Sequence, residues 1–135
     1  DTHDWVDDRD WSTDFTDQWT TQALRYAQRV PSLGIPSRMK GVVELYDAAT
    51  DWIPIYDKSS LPGFYMACGS SGNQYKNAPV AGRLMAALIT YCEGGNDHDT
   101  QPMTFRFDHI GHEISAGFFS RKREINRESS FSVLG

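Results

Sequence analysis

The chain has 135 residues, of which 39% are apolar and 13% aromatic, so it is long enough for one ordinary domain and too apolar for a disordered chain. Thirteen Lys and Arg against eighteen Asp and Glu leave a net charge of −5, the wrong sign for a protein that binds nucleic acid through its phosphates. The longest strictly apolar run, Leu84 to Ile89, is far too short to span a membrane, and no secretion leader is visible. Because the chain begins at Asp1 rather than Met and has only two cysteines, we expect a processed or excised piece of a cytoplasmic protein.

The first third of the chain predicts one amphipathic helix. Within 14–30, mostly apolar residues recur at offsets 0, 4, 7, 8, 11, 12 and 15 from Phe15, which is one face of a 3.6-residue period. A polar residue at 12–14 can cap the helix, and Pro31 ends it. We therefore predict a helix whose apolar face packs on a core, after an acidic arm over 1–12 that faces water.

Three short extended segments are predicted between residues 42 and 68. Val42 to Tyr46 has strand propensity. Trp52 to Tyr56 continues as an extended segment, which Pro54 keeps at a sheet edge or outside the ladder. The five apolar residues from Phe64 to Cys68 are typical of a strand that is buried on both faces.

A second helix is predicted from Lys76 to Cys92. It is apolar over most of its circumference, so we expect it to be buried, and the glycines at 94 and 95 end it. Residues 96–111 read as a loop, and Phe118 and Phe119 are candidates for a strand. The basic run 121–123 and the serine-rich end predict an exposed tail.

The loop between the last predicted strand and this helix carries the strongest functional signal. In open α/β sheets ligands bind between a strand's carboxyl end and a helix start. The first N–H groups of a helix have no partner within it and carry a partial positive charge, to which Lys76 adds a full one. Such a site favours a phosphate, a carboxylate or an electron-rich ring. The structural alternative is a tight turn that needs the glycines of Gly69-Ser-Ser-Gly72.

Standard catalytic and metal motifs are missing from this sequence. It contains neither Gly-x-Gly-x-x-Gly nor Gly-x-x-x-x-Gly-Lys-Ser/Thr, and no Gly-x-Ser-x-Gly. His98, His109 and His112 do not have the spacing of a zinc-binding helix, so we predict no metal site and interpret them as polar loop residues. A metal-binding domain that uses these three histidines remains a weaker hypothesis.

The two cysteines are not expected to form a disulfide. Cys68 ends the predicted strand and Cys92 lies near the helix end, roughly 24 Å further along the helix axis. A disulfide needs Cα atoms within roughly 7 Å, so both thiols are predicted to be small buried groups.

Two stretches resemble the D-amino-acid oxidase superfamily, which includes sarcosine and glycine oxidases. Residues 41–55, G-V-V-E-L-Y-D-A-A-T-D-W-I-P-I, are similar to its G-x-x-x-x-Y-D-x-T-P-D-x-x-P-I. Residues 61–84 are similar to its L-x-G-L-Y-x-A-x-G-x-S-G-H-G-F-K-x-A-P-x-x-G-R-L. These enzymes depend on FAD and oxidise C–N bonds of amino acids and amines, and the resemblance covers about residues 19–92.

The resemblance implies an α+β chain that is the C-terminal part of such an oxidoreductase, in one compact fragment. Residues 13–56 would belong to the substrate-domain sheet, 61–93 would complete a Rossmann-like FAD-binding domain, and 94–135 would be a tail. The Gly-x-Gly-x-x-Gly loop would lie in a missing N-terminal FAD-binding portion, the partner of this chain. The substrate would be a small amine or amino acid.

The resemblance also assigns roles within the loop. A reduced flavin carries negative charge near its N1 and C2 carbonyl, which helix-start N–H groups and a lysine stabilise. Lys76 would be the catalytic residue and would also contact a substrate carboxylate. The residues implied to lie over the pyrimidine end of the flavin are Gly69, Ser70, Ser71, Gly72, Asn73, Gln74, Tyr75 and Lys76.

Several positions depart from the family pattern. Asn73 and Gln74 replace its His-Gly, Ser70 replaces a common aromatic residue, and Thr50 stands where proline is usual. Glu44 occupies the position at which some sarcosine oxidases attach flavin to a cysteine, so covalent attachment there is not expected. The changes at 73 and 74 motivate the alternative function, a non-catalytic binding module that retains the fold.

Overall fold

The computed structural model describes residues 6–131 and divides the chain, which is of the α+β class, into two compact units. The first unit ends at Leu45 and the second begins at Tyr46. This division differs from the single compact fragment that we expected. Within the described range, no helix is long and apolar enough to cross a lipid bilayer.

The first unit contains the predicted amphipathic helix, α1, at Asp17–Arg29. Thr16 caps it, because its hydroxyl accepts a hydrogen bond of 3.1 Å from the backbone N–H of Trp19. A short 3-10 helix, Pro31–Leu33, follows. No residue of α1 is buried, so the predicted core face is wrong; the rings of Phe15 and Trp19 stack 4.1 Å apart instead. A unit of about 40 residues has too little chain to enclose a helix.

The predicted strand Val42 to Tyr46 is wrong, because the structure has no strand over these residues. Strand propensity is realised only where a neighbouring strand supplies hydrogen bonds, and in the described structure no strand pairs with this segment. Val42 is 80% exposed, and the nearest ladder contact is an isolated bridge between Ala48 and Ser70.

The second unit begins with an antiparallel hairpin, β1 at Ile55–Lys58 and β2 at Tyr65–Cys68. Pro54 lies just outside the ladder, which agrees with the sequence prediction. Burial of the second strand on both faces is wrong, because Ala67 and Cys68 are exposed. This sheet has only two strands among the residues described, so one edge of β2 has no partner strand.

A glycine-bearing loop and a 3-10 turn, Tyr75–Asn77, connect β2 to the second helix, α2, at Ala78–Glu93. The predicted order of strand, loop and helix is therefore confirmed. Only Leu84 and Leu88 of α2 are buried, so the prediction that most of its circumference is buried is wrong. Leu84 and Leu88 pack in the same core as Tyr56 of β1, whereas Val80 and Ile89 on α2 are exposed.

A second antiparallel hairpin follows, β3 at Thr104–Phe107 and β4 at His112–Ser115. Within the predicted loop 96–111 only β3 departs from the prediction, because residues 96–103 and 108–111 are irregular or turn; Gly111, with φ +64°, lies in the turn that leads into β4. The predicted strand at Phe118 and Phe119 is also wrong, since both lie in a 3-10 helix, Ala116–Phe119. The buried apolar core of this unit comprises Tyr56, Leu84, Leu88, Met103, Phe105 and Ala116.

The basic run after this 3-10 helix does not form an exposed tail. The guanidinium groups of Arg121 and Arg123 bind the fully buried carboxylates of Asp57 and Asp51, respectively. The prediction that this run faces water is wrong for Arg121 and Arg123, because a buried carboxylate needs an opposite charge and each arginine supplies one.

Candidate functional site

A cavity of about 500 Å³ opens in the second unit beside the start of α2. Trp52, Phe107 and Phe118 contribute aromatic rings to its lining, and Val80 and Leu84 contribute aliphatic groups from α2. Among the described residues, no charged side chain lines this cavity. Because an unpaired ion is costly to bury, such a cavity suits a neutral flat or apolar ligand.

One end of the cavity is polar and carries three carboxamides, those of Asn73, Gln74 and Asn77. The Gln74 Oε1 atom accepts hydrogen bonds from the Tyr56 hydroxyl at 3.2 Å and from Asn77 Nδ2 at 2.9 Å. The Gln74 Nε2 atom donates to Asn73 Oδ1. These bonds orient the amide groups, whose remaining donors and acceptors match the alternating C=O and N–H edge of a neutral heterocycle.

The other end of the glycine loop is occupied by the carboxylate of Asp47. The backbone N–H groups of Gly69 and Ser70 both donate to it, and the Ser70 hydroxyl donates to Asp47 Oδ1 at 2.6 Å. Burial opposes ionisation of Asp47, but the bonds from Ser70 and Gly69 outweigh it and lower its pKa. The predicted affinity of these amides for an anion is therefore satisfied by the chain's own aspartate.

Ser71 and Gly72 shape the loop. Ser71 is fully buried at φ +50°, where its hydroxyl accepts from the Ala49 N–H at 3.3 Å and donates to the Gly69 carbonyl at 3.2 Å. Gly72 is exposed with φ +75°, a conformation that favours glycine. Neither residue lines the cavity. Their role is to shape the turn that leads into Asn73 and Gln74, whose side chains do line it.

Tyr75 and Lys76 lie outside the cavity. Tyr75 is 97% exposed, and Lys76 is exposed as well. Of the eight predicted loop residues, only Asn73 and Gln74 line the cavity. The roles that the family resemblance assigns to all eight residues stay predictions.

Fewer helix-start amides are free than the sequence suggested. The 3-10 turn engages the N–H groups of Asn77 and Ala78, which bond to the carbonyls of Gln74 and Tyr75. Pro79 has no N–H to offer. The carboxamide side chains, rather than the helix terminus, therefore dominate the polar end of the cavity.

The histidines fall into two groups. His98 is buried, its Nδ1 accepts a hydrogen bond of 3.1 Å from the Met103 N–H, and burial lowers its pKa. Its Nε2 lies 3.8 Å from Asp57 Oδ1 and has no hydrogen-bond partner within residues 6–131. His98 is a turn residue as expected, although it is buried; the loop interpretation is wrong for His112, which lies in β4, and His109 is an exposed turn residue. In that same range no cluster of three His, Cys, Asp or Glu side chains could hold a metal ion.

Both cysteines are free thiols, as predicted. Cys68 is exposed and Cys92 is half-buried, so the expectation that both are buried is wrong. Partial burial raises the pKa of each thiol.

Sequence reasoning missed a cluster of paired charges behind the cavity wall. Asp51 is fully buried, and both of its oxygens bind Arg123, at 3.0 Å to Nε and 2.6 Å to Nη2. The hydrogen bond from Arg123 outweighs burial and lowers the pKa of Asp51 to about 2. The one sequence signal for this cluster was a pair of arginines, Arg121 and Arg123, in a chain rich in aspartates with which they could pair.

A second pair lies beside the first. Asp57 is fully buried, and its Oδ2 accepts hydrogen bonds from the Ser120 hydroxyl, the Arg121 backbone N–H and the Arg121 guanidinium, at 2.8–2.9 Å. The same guanidinium binds both oxygens of Asp99 at 2.9 Å. This hydrogen bonding outweighs burial and holds the pKa of Asp99 well below its usual range.

Comparison of the chain with family models, with curated proteins and with solved structures found no match.

Proposed function

We propose that this chain is the C-terminal part of an FAD-dependent oxidoreductase, which oxidises a C–N bond of a small amine or amino acid by hydride transfer to the flavin. In this proposal residues 61–93 complete a Rossmann-like FAD-binding domain. The observation that carries the proposal is an uncharged, largely apolar cavity whose polar end is the same loop that resembles the flavin-contacting loop of the D-amino-acid oxidase superfamily.

The cavity fits the ring system of the cofactor. Its volume of about 500 Å³ lies within the usual range for small-molecule sites, and its aromatic and aliphatic lining suits a flat ring. Asn73, Gln74 and Asn77 would hold the pyrimidine end, whose carbonyl and N–H groups match their free donors and acceptors. When bound, the flavin supplies the hydride acceptor.

The cavity does not fit the phosphates of FAD. No cationic side chain is among its described lining residues, so the pyrophosphate needs partners elsewhere. This agrees with the proposal that an N-terminal portion with a Gly-x-Gly-x-x-Gly loop completes the cofactor site. A catalytic role for exposed Lys76 rests on the family resemblance alone.

The decisive experiment uses the reading frame that encodes this chain. We expect it to encode Gly-x-Gly-x-x-Gly upstream of Asp1, and its product to purify with a flavin that absorbs near roughly 370 and 450 nm. Anaerobic addition of a panel of amines and amino acids should bleach the band near roughly 450 nm. A frame without the motif, or a product that binds no flavin, would contradict the proposal, as would tight stoichiometric FAD binding by residues 1–135 alone.

A pair of variants tests the polar end of the cavity. Gln74→Leu in the whole protein removes the central amide of the network and should weaken flavin binding by about tenfold, since a buried polar partner is left unpaired. Gln101→Leu changes an exposed glutamine outside the cavity and is the matched control. Equal flavin affinity in both variants would show that Gln74 does not contribute to flavin binding.

The second candidate function is a non-catalytic binding module. Two observations favour it. The Asp47 carboxylate binds the backbone N–H groups of Gly69 and Ser70, which a flavin would otherwise contact, and Asn73 and Gln74 replace the His-Gly of the family. The double change Asn73→His and Gln74→Gly in the whole protein distinguishes the two functions. A non-catalytic module should remain inactive after this change, whereas an oxidoreductase should still reduce its flavin with substrate.

A further inference from the structure

One ion pair ties the segment before β1 to the chain that follows the last 3-10 helix. Arg123 binds both oxygens of buried Asp51, and its Nη2 also donates to the carbonyl of Ile53 at 2.7 Å. The backbone N–H of Asn126 donates to Asp51 Oδ2 at 3.3 Å. Arg123 therefore contacts residues on both sides of Trp52.

Trp52 has a backbone conformation that its side chain does not favour. Its φ of +61° is in the left-handed region, where a bulky residue remains only if its surroundings impose it. The Trp52 N–H donates to the Ala49 carbonyl at 3.0 Å, and the next N–H, that of Ile53, donates to Asp51 Oδ1 at 3.2 Å. The ion pair with Arg123 fixes the carboxylate that makes this second bond.

The same pair anchors a second part of the cavity lining. Trp52 lines the cavity, and so do Ser129 and Ser130, which follow Arg123 by six and seven residues. The Ser129 N–H donates to the Asn126 carbonyl at 3.3 Å, which continues the connection from Asp51. Two portions of the wall that are distant in sequence are thus connected through the Arg123–Asp51 ion pair.

We propose that Arg123 is a positioning residue, which sets Trp52 and the segment 129–130 against the cavity and so determines which flat ligand the cavity accepts. The inference rests on the proposed function only in taking the cavity as a ligand site. Arg123 itself does not line the cavity, so it acts through Trp52 and through the segment that it anchors.

The test compares Arg123→Gln and Arg123→Lys with Arg83→Gln in the isotope-labelled chain. Arg83 forms an exposed ion pair with Asp108, so its change to glutamine is the matched control. Heteronuclear NMR reads the indole N–H of Trp52, identified by its absence in Trp52→Phe, and the Cα of the same residue, assigned through the backbone. We expect both signals to move in Arg123→Gln, to move less in Arg123→Lys, and to stay in Arg83→Gln.

The ligand readout is titration with lumiflavin, a neutral ring system without phosphates. Its Kd should rise about tenfold or more in Arg123→Gln and less than twofold in Arg83→Gln. Unchanged Trp52 signals in a folded Arg123→Gln chain would overturn the inference; if that variant does not fold, the Arg123→Lys spectrum decides in the same way. If lumiflavin does not bind the unaltered chain, the Trp52 signals alone decide the role of Arg123, and flavin binding by the whole protein decides the proposed function.

Discussion

The charge cluster behind the cavity and the glycine loop use aspartates in different ways. In the cluster, Asp51 and Asp57 are fully buried and each carboxylate binds an arginine. In the loop, Asp47 is exposed and its carboxylate binds neutral backbone N–H groups and the hydroxyl of Ser70. All three anchor a segment that lies far along the chain.

The difference follows from the cost of removing a carboxylate from water. A buried charge needs a full opposite charge and several hydrogen bonds, so losing one partner of the pair is expensive. An exposed carboxylate keeps part of its hydration, so neutral donors are enough and water can replace them. The cluster should therefore determine stability, whereas the loop should tolerate change.

The largest effect is expected in the cluster. Asp57→Ala removes the acceptor of three bonds from Ser120 and Arg121, and should lower the free energy of unfolding by about 3 kcal/mol. Urea denaturation measures this value. Asp108→Ala removes an exposed carboxylate and should cost less than about 0.5 kcal/mol. A similar loss in both variants would refute the distinction between buried and exposed pairs.

Acid should act on the same cluster. The pKa of Asp51 falls from its ordinary 3.8 to about 2 in the fold, so its contribution to stability is present above pH 4 and disappears as the pH falls through about 2. The corresponding free energy is about 2 kcal/mol. Unfolding measured between about pH 5 and 2 should show this loss in the unaltered chain and a smaller slope in Asp51→Asn. Equal slopes would contradict the assignment.

A smaller effect is expected in the loop. Asp47→Ala should cost about 1 kcal/mol, because Asp47 is exposed and water can take the place of its carboxylate beside the N–H groups of Gly69 and Ser70. The vacated amides should accept a small anion, so acetate should raise the melting temperature of this variant and not that of the unaltered chain. Failure of acetate to stabilise the variant would show that the amides do not form an anion site.

The smallest effect is expected at Lys76. The side chain is exposed, so Lys76→Gln should change the free energy of unfolding by less than about 0.5 kcal/mol. Urea denaturation of the chain checks this value. In the whole protein, any loss of flavin reduction in the same variant would then report chemistry rather than folding. A large loss of stability would show that Lys76 has a structural role.

Local sequence patterns predicted the elements that depend on local contacts. Periodicity located α1 and α2 to within a few residues, and Pro54 and the glycines at 94 and 95 correctly marked element ends. The glycine loop was correctly placed between β2 and α2, but nothing in the local pattern revealed that its Gly69 and Ser70 N–H groups bind the carboxylate of Asp47. These features depend on residues close together in sequence, or on the conformational limits of proline and glycine.

Burial and long-range pairing were predicted poorly. The segment 42–46 has strand propensity but finds no partner strand, whereas Thr104–Phe107, expected as loop, finds one across the turn at Gly111. The run Arg121–Arg123 was expected in water because nothing in its own composition reveals the buried aspartates 64 and 72 residues earlier. Such pairings depend on which segments the fold brings together.

The sequence by itself determined two helices and the order of strand, glycine loop and helix, because periodicity and backbone restrictions act over a few residues. Tertiary structure alone decided that Asp47 binds the N–H groups of Gly69 and Ser70, that Asn73 and Gln74 face an uncharged cavity, and that Arg123 contacts residues on both sides of Trp52. Each of these outcomes requires groups more than 20 residues apart to meet. Such contacts form only in the complete fold, where the hydrogen bonds and ion pairs that each charge gains offset the cost of removing it from water.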